Sequence, residues 1–87
     1  MVKNWQQYRN KLWNPIFNKT TIQTWINIPT QRIIAIEKIR RGSKNRFLVV
    51  LYNRLYENLG VVIDTSKREK AFKYVYSWMK HNPYGDM

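Results

Sequence analysis

The chain has 87 residues, with 16 Lys and Arg against five Asp and Glu, a formal net charge of +11. That length allows one domain with a small core, about 60–65% of the unfolded surface being buried. The absence of cysteine excludes disulfides, thiolate zinc sites and thiol catalysis, and a single histidine, His81, excludes a His-rich metal site.

In chain order, residues 3–13 read as a short helix, because Trp5, Tyr8 and Leu12 fall on one face. Asn14 ends it, since the residue before Pro15 avoids the α region. A helix this short must pack to persist. Residues 21–28 alternate, with Ile22, Ile26 and Ile28 on one side and Gln23, Trp25 and Asn27 on the other, the pattern of a half-buried strand ended by Pro29.

Residues 32–40 and 46–54 are rich in β-branched and aromatic side chains and read as a hairpin. A three-residue loop, Gly42-Ser43-Lys44, would pair Arg41 with Asn45, Arg40 with Arg46, Lys38 with Leu48, Ile34 with Tyr52 and Arg32 with Arg54. Its core face would carry Ile33, Ala35, Ile39, Phe47, Val49 and Leu51. Like charges directly across a ladder are destabilising. A fold holds them more readily where a polyanion normally lies.

A turn around Tyr56-Glu57-Asn58 leads to a fourth strand over 60–64. Ser66-Lys67-Arg68-Glu69 has the spacing of a capping box. Ala71, Phe72, Val75, Trp78 and Met79 then fill one arc of a helical wheel, and Lys67, Lys70, Lys73, Ser77 and Lys80 the opposite arc. This predicts an amphipathic helix over 66–81, stopped before Pro83.

The expected fold is α+β: a four-stranded antiparallel sheet, a C-terminal amphipathic helix packed on one face, and a short N-terminal helix. It forms a single domain over 1–87, with an N-terminal segment (1–18), sheet plus helix (21–81) and a tail (82–87). Both sheet faces carry apolar residues. One helix leaves a face over, for Trp5, Leu12, Trp13, Ile16 and Phe17 or for a second copy in a homodimer.

Cations that neutralise phosphates, interleaved with rings that stack on bases, are the chemistry of nucleic-acid binding. The expected contact residues are Arg32, Lys38, Arg40, Arg41, Lys44, Arg46 and Arg54, with Trp25 and Tyr52 as rings. Lys67, Lys70, Lys73 and Lys80 form a secondary basic face whose plainest role is solvation. The expected function is sequence-nonspecific binding, with DNA favoured over RNA and single strands over duplex. The alternatives are a duplex or double-stranded-RNA module and an interaction or inhibitory factor for an acidic protein.

No enzyme is expected. Glu37, Glu57, Asp64, Glu69 and Asp86 are the only acids, Asp64 at a helix entrance, and no catalytic or metal motif appears. A metal-free ribonuclease would have to work through His81, which stands where a helix C-terminal dipole partner would. No cofactor or small-molecule substrate is expected. No segment reaches the apolar length of a membrane span, and the N-terminus lacks a signal peptide's apolar stretch. The expected location is the cytoplasm or nucleoid, or the host cell of a virus.

The order of four strands followed by a helix, with the basic charge, resembles the coactivator-type single-strand-binding domain. That family dimerises through its helices and holds DNA on curved sheets; no shared motif carries site residues over. Ser66-Lys67-Arg68-Glu69-Lys70-Ala71 is similar to the lysine-rich start of the last helix in the double-stranded-RNA-binding domain. That family's loop with Gly, Pro and His has no counterpart here.

Overall fold

The computed structural model describes residues 2–8 and 20–85. Its strands are β1 (Trp5–Gln7), β2 (Thr21–Asn27), β3 (Ile33–Arg41), β4 (Lys44–Tyr52) and β5 (Asn58–Thr65), followed by one helix, α1 (Arg68–His81). Neighbouring strands pair antiparallel in the order β1-β2-β3-β4-β5. The α+β class, the antiparallel sheet and the C-terminal helix match expectation; the sheet has five strands instead of four. The extra strand, β1, stands where the sequence predicts a helix. The rest of that expected helix, with Leu12, Trp13, Ile16 and Phe17, lies outside the described residues.

The central hairpin is tighter than predicted. Arg41 pairs with Lys44, leaving a two-residue turn, Gly42-Ser43. Gly42 has φ 62 at the first central position, as a type II′ turn requires. A two-residue turn follows the right-handed twist of its strands, which is why it wins over the longer loop. The whole register shifts by one residue: Arg40 faces Asn45, Ile39 faces Arg46, and Ile33 faces Tyr52. Arg41 opposite Lys44 is the like-charge pair that remains.

Paired residues share a face, so this shift decides the core. Ile34, Ile36, Val49 and Leu51 lie on one face with Trp5 and Trp25, and Ala71, Val75 and Met79 of α1 pack onto them. α1 starts beside the Thr65 end of β5 and crosses to β1, where Trp5 meets Trp78 edge-on at 5.8 Å. Lys67 occupies the N-cap and makes no side-chain cap hydrogen bond, so the Ser66–Glu69 box does not form. Instead the Lys67 N–H donates to Thr65 Oγ1 at 3.2 Å.

Thr24, Ile33, Ala35 and Val50 lie on the opposite face and are also buried, each at 1% exposure or less. These belong to the face expected to be covered by the N-terminal segment or by a second copy. Trp5 takes no part there, because it faces the helix.

Candidate nucleic-acid interface

The strand directions sort the cations into two groups. β3 descends to Arg41, β4 rises from Lys44, and β5 descends to Thr65, which pairs with Phe47. Lys38, Arg40, Arg41, Lys44 and Arg46 therefore lie at the same end of the sheet as Lys67 and Arg68 of the helix entrance, Lys38 and Arg40 on the helix face and Arg41, Lys44 and Arg46 on the opposite one. The acids there are Glu37, Asp64 and Glu69, with Glu37 and Asp64 in one cross-strand row on either side of Leu48. Asp64 accepts from Arg46 Nε at 2.8 Å and lies 3.2 Å from Arg41 NH1. It is thus a strand residue clamping two guanidiniums, not a residue of the helix entrance. Lys38, Arg40 and Lys44 are exposed and make no ion pair among the described residues.

Lys67, Lys70, Lys73 and Lys80 are exposed on the outer arc of α1. They run away from this end over about 20 Å, at 1.5 Å per helical residue. Lys67 and Arg68 also stand at the positive end of the helix dipole, where cations are disfavoured by a few tenths of a kcal/mol. Side chains and backbone therefore add to one positive potential.

Arg32 and Arg54 belong to the other end. Eight residues of strand separate Arg32 from Arg40, about 26 Å at 3.3 Å per residue. Arg32 donates NH1 to the Gly85 carbonyl at 2.8 Å, which makes it a strut for the chain after α1. Arg54 is exposed in the β4–β5 loop, in a cleft it shares with Arg32, Thr30 and Leu55. The expected single palm is thus divided, because pairing partners at opposite ends of a hairpin are far apart in space.

Trp25 is not available to a ligand. It is 3% exposed and sits beneath α1, edge-on to Phe72 at 5.9 Å and to Tyr76 at 5.8 Å. The β2 alternation permitted either side to face α1, and Trp25 took it, while Ile26 pairs with Ile33 on the other face. Ile28 is 49% exposed, while Gln23 and Asn27 are buried with Trp25. Asn27 Oδ1 accepts from the Thr30 N–H at 3.2 Å and from its hydroxyl at 2.8 Å. An Asn three residues before Thr across Ile-Pro is a turn signal that the sequence carries at Asn27.

Tyr52 is half-buried on the face away from α1, the face that also carries Glu37. Tyr52 faces Ile33 and Glu37 faces Leu48, with the buried Ala35–Val50 pair between them. Burial raises the Tyr52 phenol above its usual value and Glu37 raises it further. Burial also raises the Glu37 carboxyl, with the Tyr52 hydroxyl pulling it partly back.

The folded protein therefore holds a proton on Glu37 more tightly than the unfolded chain does. The stability this contributes is complete below pH 4.5, the carboxyl's ordinary value, and is lost as pH rises through the higher folded value. Glu37→Gln keeps an acceptor for Tyr52 and removes the titration. Urea unfolding from pH 4 to 7 should show the variant gaining on the wild type as pH rises; a constant difference would count against this account.

His81, at the end of α1, donates Nδ1–H to the Ser77 carbonyl at 2.8 Å. Among the described residues no three His, Cys, Asp or Glu side chains gather into a metal site. No helix among them is long and apolar enough to cross a membrane. No protein-family model matches this chain, and neither a curated protein nor a solved structure was found similar to it.

Proposed function

We propose that this protein is a small module that holds the phosphate backbone of nucleic acid, DNA first, at its cationic end. The observation that carries the reading is the gathering of Lys38, Arg40, Arg41, Lys44 and Arg46 with Lys67 and Arg68 at one end, seven cations against Glu37, Asp64 and Glu69. A structure that spread these charges evenly would lower their mutual repulsion, so their concentration favours a polyanionic ligand. Contacts to phosphates carry no sequence information, which makes the binding nonspecific. With Trp25 sealed under α1, base stacking contributes nothing there, and affinity comes from charge.

The test is a salt titration, by fluorescence anisotropy, with labelled single strands, duplex DNA and RNA. Some six phosphates neutralised would give log–log slopes of about −4 on single strands and about −5 on duplex. A slope near zero would overturn the reading. Failure to bind any of the three at low salt would move the cationic end to an acidic protein partner.

A further inference from the structure

The segment after α1 is held in an unusual way. Four consecutive carbonyls accept hydrogen bonds from side chains elsewhere in the fold. Trp5 Nε1–H donates to Asn82 O at 3.0 Å. Asn4 Nδ2 and Asn27 Nδ2 both donate to Pro83 O, at 3.0 and 2.8 Å. The Thr30 hydroxyl lies 3.1 Å from Tyr84 O and shares its one proton between that carbonyl and Asn27 Oδ1, and Arg32 NH1 donates to Gly85 O at 2.8 Å. Asn27 is fully buried, so its amide is committed to this contact. Gly85, with φ 71, lets the backbone close on its neighbours: a Cβ there would lie 3.3 Å from Arg32 and 3.4 Å from Trp5.

The strand that this segment touches has few backbone bonds to hold it beside the packing of Trp5. β1 is three residues long, sits at the sheet edge and, among the described residues, pairs with β2 alone. A strand so short and one-sided opens easily by itself. We infer that residues 82–85 are a latch that holds β1 on the sheet, and that latch and β1 open together as one unit while β3, β4 and β5 stay folded. Donors from β1, from the end of β2 and from the β2–β3 turn all converge on the latch, so losing it leaves β1 tied to α1 through the Trp5–Trp78 contact and the packing of Trp5 in the core. Pro83 and Tyr84 of the latch wall a cleft of about 430 Å³ with Val2 and Met79, and those last two also wall a cleft of about 330 Å³ beside Trp5 and Trp25.

Native-state hydrogen exchange on the full chain tests this. The reporters are the Trp5 indole, the amides of Tyr8, Ile28 and Gly85, and those of Ile34, Ile36 and Val49 in the centre of the sheet. In the wild type the first group should exchange together and faster than the centre. Asn27→Ala should speed the first group by about tenfold or more, leaving the centre nearly unchanged. If Asn27→Ala does not fold, Gly85→Ala applies the same challenge by crowding Arg32 and Trp5. The inference is overturned if Gly85 is freed while Tyr8 and Ile28 keep their wild-type exchange. It is equally overturned if β1 exchanges only with the sheet centre.

Discussion

Replacing Lys38, Arg40 and Lys44 together by alanine should weaken nucleic-acid binding by on the order of 10²-fold at about 0.1 M salt. Each phosphate contact releases close to one counterion, so each is worth somewhat under tenfold at that salt. These three are the exposed cations of the hairpin without an ion pair among the described residues, whereas Arg41 and Arg46 are partly neutralised by Asp64. The salt slope should fall by about 2 on single strands. The loss should be uniform across sequences. The melting temperature should hold or rise slightly, because no buried contact is lost and like-charge repulsion falls. A triple variant that binds with unchanged affinity and slope would remove the hairpin from the interface. Arg32→Ala and Arg54→Ala, at the far end, should leave the slope unchanged, which separates a local effect from a general loss of charge.

Trp25→Ala should act on the fold rather than on the ligand. Removing a buried tryptophan costs about 3–5 kcal/mol, and its edge contacts with Phe72 and Tyr76 add to the loss. A domain of this size has a total stability of about 4–13 kcal/mol. At about 4–8 °C per kcal/mol the melting temperature should drop by about 12 °C or more, and the variant can lie near the edge of folding. Thermal unfolding followed by far-UV circular dichroism reads this directly. Trp25→Phe should recover a large part of the loss, since a ring still fills the space under α1. A Trp25→Ala chain that melts normally but loses affinity for single strands would mean that the ring faces the ligand after all.

The two ends of the sheet show how far a sequence pattern reaches. The amphipathic stripe Ala71, Val75, Met79 specified both the helix and its buried side, because a 3.6-residue period leaves one assignment open. The period of two in β2 left two, and the helix side went to Trp25, Gln23 and Asn27, where Asn27 satisfies its amide on Pro83 and its carbonyl on Thr30, while Thr24 is buried on the other face. β1 has no legible pattern, since three residues cannot display alternation. It exists because Trp5 reaches Trp78 and Asn82 from the far end of the chain.

The sequence alone therefore determined the α+β class, the central hairpin, the C-terminal helix with its lysine arc, and the surplus of cations. Each of these follows from local periodicity or from counting. Tertiary structure alone decided the register, the fate of each arginine and the side of Trp25. One residue of turn length reassigned the faces of β3 and β4. The direction of the strands then divided a single run of cations between a crowded basic end and a strut that holds Gly85.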